Sequence, residues 1–130
     1  MDTRKKILTV EEARRRIESL STTGETVAVA HGWFDIIRAE HTTALTRIKQ
    51  GHDELLVLVR PDSDSRSTIL DESSRSQLVA ALDVTDTVVL CDEVAQAELL
   101  RPLADAAPVD VEESVTGSII DDVLRRHGRK

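Results

Sequence analysis

The sequence predicts an α/β fold in which a parallel sheet of four to five strands carries helices on both faces, a Rossmann-like arrangement. Two observations lead to this prediction. Strand and helix patterns alternate along the chain, and the run LLVLV at residues 55–59 is apolar without interruption. Such a strand has both faces buried, which is typical of the interior of a parallel sheet. The length of 130 residues predicts a single domain over residues 1–130.

The first half of the chain contains two predicted helices and one predicted strand. Thr9 and Glu12 can form a capping box, which satisfies the first free amides of a helix. Residues 26–30 (TVAVA) predict a strand. Residues 41–50 predict the second helix, and Gly51 is a typical C-terminal stop.

The second half continues the alternation after the strand at 55–59. Asp71 can cap a third helix, in which Leu78, Val79 and Leu82 are expected to face inward. Beyond it we expect a strand at 87–90, a helix at 94–104 that Pro102 disturbs, a short strand at 109–111 and a final helix at 117–127.

Composition excludes several classes of function. The 17 basic and 24 acidic residues give a net charge of −7, which argues against binding to nucleic acid or to an anionic membrane. Cys91 is the only cysteine, so neither an intramolecular disulfide nor a thiolate zinc cluster can form. No signal peptide and no apolar run of about 20 residues is visible, and we expect a cytoplasmic protein.

The loop after the first predicted strand, residues 31–41, is the candidate binding segment, because ligands of parallel α/β sheets bind beyond the carboxyl ends of the strands. Gly32 permits a tight turn or a close backbone approach. Arg38 and His41 are three residues apart at a helix start, where free amides and the helix dipole suit a phosphate. An ordinary turn with surface charges also explains this pattern.

The run from Gly32 through Phe34-Asp35-Ile36-Ile37 to His41 resembles the signature of the cytidylyltransferase-like nucleotidyltransferases, in particular heptose-phosphate nucleotidyltransferase domains and glycerol-3-phosphate cytidylyltransferase. The resemblance extends over roughly residues 6–125. It implies an enzyme that transfers a nucleoside monophosphate from CTP or ATP to a small phosphorylated metabolite and releases pyrophosphate. It further implies Mg²⁺ as the cofactor of an active enzyme, and a homodimer.

The same resemblance implies the site residues. His41 and Arg38 would be catalytic, and no residue is assigned to a metal. The implied nucleotide-binding residues are His31, Gly32, Phe34, Asp35, Asp62, Arg75, Ser114 and Thr116.

Two departures from the family pattern leave the chemistry open. Arg38 stands where the family has its first motif histidine, and Glu40 stands where it has a glycine. The Glu40 carboxylate could repel a triphosphate, help to hold Mg²⁺, or simply complement the helix dipole. Residues 110–113 alone separate the last strand from Ser114, so part of the usual binding wall is missing.

Two hypotheses therefore stand side by side. The chain is an active nucleotidyltransferase, or it is a non-catalytic relative that binds a nucleotide or phosphometabolite or acts as a dimeric interaction module. Trp33 can pack or stack on a ligand, Asp35 is expected to bind backbone amides, and Arg75 can reach the nucleotide or pair with an acidic neighbour. A response-regulator receiver is rejected, because His31-Gly32 stands where its acidic pair is required.

Overall fold

The computed structural model describes residues 2–63, 68–103, 107–113 and 115. Five parallel strands form one sheet in the order β1-β4-β3-β2-β5, which confirms the predicted α/β class. The strands are β1 (Ile7–Leu8), β2 (Val27–Gly32), β3 (Glu54–Val59), β4 (Thr87–Leu90) and β5 (Val109–Asp110). The helices are α1 (Val10–Thr22), α2 (Ala39–Lys49), α3 (Glu72–Ala80) and α4 (Glu93–Leu99), with a 3-10 helix at Thr3–Lys6.

Alternate residues of the central strand β3 feed two apolar layers, one on each face of the sheet. Leu55, Val57 and Val59 belong to the first layer, while Leu56 and Leu58 belong to the second. Because every second side chain points to the same face of a strand, an uninterrupted apolar run supplies both layers. The first layer includes Leu45 of α2 and Val79 of α3, and the second includes Ile17 of α1 and Leu99 of α4.

The predicted helix caps are present. Thr9 Oγ1 accepts a hydrogen bond from the Glu12 amide at 3.1 Å, and Glu12 Oε1 accepts one from the Thr9 amide at 3.0 Å. Asp71 accepts from the Ser74 amide at 2.7 Å and caps α3. The N-terminal ends of α1 and α3 therefore lie where the sequence predicts.

Several predicted boundaries differ from the structure: the strand predicted at 26–30 is Val27–Gly32, and the strand predicted at 109–111 is Val109–Asp110. Strand β1 was not predicted, since two residues are too short to show a periodic pattern. Helix α2 begins at Ala39 rather than His41, because the His41 ring accepts the Arg38 amide and makes Arg38 the N-cap. Helix α4 ends at Leu99 instead of residue 104, since Pro102 offers no amide and excludes the turn before it.

The inward face of α3 was also wrongly predicted at one position. Leu78 is 46% exposed, whereas Arg75 and Val79 are each 0% exposed. These two residues are four apart and so share one face of the helix. The charged Arg75 occupies a core position that an apolar pattern does not reveal, and Leu78 points away from it. Leu82 lies beyond the end of α3 but packs against the core as expected.

The predicted final helix at 117–127 lies outside the described residues. Among the helices that the structure does describe, none is both long and apolar enough to cross a membrane.

A matched pair of leucine substitutions tests this packing. Leu45→Ala should lower the free energy of unfolding by about 2–5 kcal/mol, because Leu45 is 0% exposed beneath α2. Leu78→Ala should change it by less than about 0.5 kcal/mol. Urea unfolding of both variants measures the two values, and equal losses would contradict the assigned orientation of α3.

Candidate functional site

The candidate site lies at the edge of the sheet where the parallel strands end. His31 and Gly32 close β2, and Asp110 closes β5 directly opposite His31. Gly32 is opposite Val59, the last residue of β3, so Arg60 follows at the same edge. The loop from Trp33 to Arg38 leaves this edge and leads into α2.

The loop turns sharply at Phe34. This residue has φ 54°, in the left-handed region that phenylalanine rarely adopts, which costs about 1–2 kcal/mol. The residue is 0% exposed in the core, and its burial offsets that cost. Gly32 packs closely beside it: a Cβ there would lie 3.1 Å from Phe34 Cε2 and 3.3 Å from Glu112 Oε1, so a side chain would force these neighbours to shift.

Asp35 ties the loop to the segment before α3. Its Oδ1 accepts the Leu70 amide at 2.8 Å, and its Oδ2 accepts the Ile69 amide at 2.9 Å. Bonds to backbone amides are what the sequence predicts for Asp35. The partners lie more than thirty positions along the chain, so Asp35 positions two loops at once.

His41 is buried on the first turn of α2, with 3% of the residue exposed. Its Nδ1 accepts the Arg38 amide at 3.0 Å, so the ring proton lies on Nε2. Nε2 then donates to Glu112 Oε2 at 3.1 Å. Both ring nitrogens of the one remaining motif histidine are thus bonded within the protein.

Glu112 is the site residue that the sequence analysis missed. Its Oε1 accepts the Phe34 amide at 2.8 Å, and its other oxygen accepts from His41. Asp110 fixes the turn that carries Glu112, since Asp110 Oδ1 accepts the Glu112 amide at 3.0 Å. A backbone amide and an imidazole N–H that face the same anionic group are typical donors for a phosphate. Here the chain's own carboxylate binds both.

The signal for Glu112 in the sequence is faint. It lies in residues 110–113, the shortened connection after the last strand, where a glutamate looks like an ordinary surface residue. Only the pairing of β5 with β2 brings this segment against the loop.

Arg38 and Glu40 remain exposed at the start of α2. Arg38 Nε lies 3.5 Å from Glu40 Oε2, with 52% and 37% of the two side chains exposed. An ion pair this exposed contributes little to stability, so a ligand can compete for Arg38 at small cost. Glu40 nevertheless keeps a negative charge beside it.

Arg75 is fully buried, and its guanidinium forms hydrogen bonds with four acceptors within the protein. Its guanidinium donates to the carbonyl oxygens of Trp33 at 2.8 Å, Arg60 at 2.7 Å and Leu70 at 3.1 Å. It also donates to Asp62 Oδ1 at 2.8 Å. The guanidinium lies 5.8 Å from the centre of the Trp33 ring. Of the two roles that the sequence left open for Arg75, the structure shows the acidic pairing.

Arg60 is a second residue that the sequence analysis did not single out. Its side chain is 11% exposed, and its Nη2 lies 3.5 Å from His31 Nδ1 and 3.9 Å from Glu93 Oε1. Burial lowers the pKa of His31; Asp110 and Glu93 raise it, and Arg60 lowers it further. The imidazole therefore favours its neutral form beside the guanidinium.

The remaining predicted site residues, Ser114 and Thr116, lie outside the described residues, and nothing is assigned to them. Within residues 2–63, 68–103, 107–113 and 115, no group of three or more His, Cys, Asp or Glu could hold a metal ion. No residue is therefore assigned to Mg²⁺.

Comparison with known proteins decides the family. A bifunctional protein HldE from Gluconobacter oxydans (strain 621H) is 31% identical over 134 residues, which cover 95% of this chain. The crystal structure of a lipopolysaccharide core biosynthesis protein from Thermoplasma volcanium GSS1 has a TM-score of 0.56 at 33% identity, over 59% of this chain and 66% of that one. The chain belongs to the cytidylyltransferase-like family. The resemblance predicted from the loop at Gly32 is confirmed.

The HldE relatives are much longer than this cytidylyltransferase-like chain. It covers 27% of the Gluconobacter protein and 30% of an HldE from Geobacter metallireducens (strain ATCC 53774 / DSM 7210 / GS-15), which is 27% identical over 88% of the chain. No family model matches the chain.

Removal of the Glu112 carboxylate tests its place in this site. Glu112→Ala should lower the free energy of unfolding by about 1–3 kcal/mol, because it leaves the Phe34 amide and His41 Nε2 without their acceptor. Glu113→Ala, an exposed neighbour, should change it by less than about 0.5 kcal/mol. Thermal or urea unfolding decides between them, and a neutral Glu112→Ala would show that the two contacts do not stabilise the protein.

Proposed function

We propose that this chain binds a nucleotide or another phosphorylated small molecule at the carboxyl edge of the sheet and does not transfer a nucleotidyl group. The position of Glu112 carries this proposal. Its carboxylate accepts the Phe34 amide at 2.8 Å and His41 Nε2 at 3.1 Å. A triphosphate that His41 bound as the family pattern implies would meet this carboxylate, and two anions cannot share one N–H donor.

The magnitude of the repulsion supports the proposed absence of nucleotidyl transfer. Two like charges about 4 Å apart repel by about 4 kcal/mol at an effective dielectric constant of about 20. That repulsion equals the whole binding free energy of a ligand with a Kd of about 1 mM. Glu40 adds a second carboxylate at the start of α2. A triphosphate placed as the family chemistry requires would meet both charges.

The ligand class follows from the fold and the relatives. Ligands of parallel α/β sheets bind at the strand ends, where Arg38, Arg60 and His31 supply the cationic or donor groups. One solved relative is described as a lipopolysaccharide core biosynthesis protein. A sugar phosphate is therefore proposed beside CTP and ATP as the ligand.

One observation favours the second candidate, an active transferase. The Phe34 amide and His41 Nε2 both face the Glu112 carboxylate, so displacement of Glu112 would free the two donors. Such an enzyme would pass a nucleoside monophosphate from CTP or ATP to a phosphorylated metabolite and release pyrophosphate, with Arg38 and His41 on the phosphates. Mg²⁺ and a homodimer remain part of that prediction.

Isothermal titration with CTP and with ATP, each with and without Mg²⁺, tests the role of Glu112. Glu112→Gln should bind nucleotide at least about tenfold more tightly than the unsubstituted chain, because it removes the negative charge while its amide oxygen can still accept the Phe34 amide. Glu113→Gln removes a neighbouring exposed carboxylate and should leave the Kd unchanged. An equal effect of the two substitutions would remove Glu112 from the proposal.

A pyrophosphate-release assay with CTP or ATP, Mg²⁺ and a panel of sugar phosphates distinguishes the two candidates. The unsubstituted chain should release no pyrophosphate above the protein-free blank. Release that His41→Ala abolishes would establish the transferase instead.

A further inference from the structure

The guanidinium of Arg60 is buried and incompletely hydrogen-bonded. The residue is 9% exposed, and its Nη1 has no hydrogen-bond partner in the part of the chain that the structure describes. Buried cationic donors are normally satisfied, because an unmatched donor keeps the full cost of its lost hydration. An unsatisfied donor at the edge where ligands bind therefore indicates a missing anion.

The backbone of Arg60 is well hydrogen-bonded, whereas its guanidinium is not. Its amide donates to the Gly32 carbonyl at 3.0 Å, and its own carbonyl accepts Arg75 Nη1 at 2.7 Å. The contact of Nη2 with His31 Nδ1 is long, at 3.5 Å. The backbone of Arg60 is thus fixed by hydrogen bonds. The guanidinium, in contrast, makes a long contact with His31.

The nearby carboxylates do not satisfy this cation. Glu93 Oε1 is 3.9 Å from Arg60 Nη2, beyond hydrogen-bond distance, and the Glu93 side chain is 86% exposed and screened by solvent. Asp110 lies opposite His31 on β5, where it accepts the amides of Glu112 and Glu113. Among the described contacts, neither carboxylate forms a hydrogen bond with the guanidinium.

We propose that Arg60 and His31 form a phosphate-binding pair at the carboxyl ends of β2 and β3. The planar guanidinium can donate two parallel N–H bonds to a phosphate through Nη1 and Nη2, and the one N–H of the neutral His31 ring can add a third donor. This inference rests on the proposed function, since the phosphate belongs to the nucleotide or sugar phosphate. It gives that ligand a place that Glu112 does not occupy.

Titration with inorganic phosphate, followed by NMR of the histidine side chains, tests the pair in the full chain. Phosphate should shift the His31 ring signals saturably, and Arg60→Gln should weaken the apparent Kd by at least about tenfold. Arg101→Gln removes an arginine whose side chain is 79% exposed and should leave the Kd unchanged. His31 signals that do not move with phosphate, or equal affinities in all three proteins, would overturn the proposal.

A second substitution keeps the test decisive if Arg60→Gln fails to fold. Arg60→Lys retains the positive charge but cannot donate two parallel bonds, so phosphate should bind it more weakly than the unsubstituted chain. Unchanged affinity in folded Arg60→Lys would also contradict the pair.

The phosphate source is identified by repeating the titration with CTP, ATP and glucose 1-phosphate. Nucleotide binding that Arg60→Gln leaves intact would refute the pair while the proposed function stands. Binding of phosphate alone, without any of the three organic ligands, would refute the proposed function while the pair stands.

Discussion

The hydrogen bonds of Glu112 to the Phe34 amide and to His41 Nε2 are the contacts on which the character of the site depends. They join β5 to the loop after β2 and to the first turn of α2. Under the proposed function, they also place a negative charge where the phosphates of a triphosphate would bind. The same interaction therefore stabilises the loop and occupies the Phe34 amide and His41 Nε2.

The loop after β2 keeps this conformation because other hydrogen bonds also fix it. Asp35 binds the amides before α3, and Arg75 joins the carbonyl oxygens of three separate segments. The backbone of Phe34 has an unfavourable φ of 54°, and the burial of its ring in the core offsets that cost. Because the loop is fixed, the Phe34 amide and His41 Nε2 are held in place as hydrogen-bond donors. In this chain the anion that they bind is the Glu112 carboxylate.

The sequence predicted the sheet because the signals for its strands and for the flanking helices lie in neighbouring residues. The LLVLV run of β3, the capping box of α1 and the aspartate cap of α3 are read from neighbouring residues. Gly32, Phe34 and Asp35 were recognised in the same way, through their family pattern. Leu78 failed because a charged side chain, Arg75, takes the core position that an apolar pattern assigns to leucine.

The roles of Glu112 and Arg60 could not be predicted, because both depend on contacts between distant segments. Glu112 reaches the loop only after β5 has paired with β2. Arg60 looks like a charged residue after a strand, and only its burial and its unsatisfied Nη1 distinguish it. Residue identity and spacing alone predict neither the contact of Glu112 with the loop nor the burial of Arg60.

The ring nitrogens of His41 offer the most direct measurement of whether Glu112 replaces a phosphate. In ¹⁵N NMR of the unsubstituted chain, Nδ1 should be unprotonated and Nε2 protonated. Saturating CTP or ATP with Mg²⁺ should leave both nitrogens and the Phe34 amide unshifted, because Glu112 keeps its two bonds. A shift of His41 Nε2 together with the Phe34 amide would show that nucleotide displaces Glu112, and would contradict the view that this carboxylate closes the phosphate site.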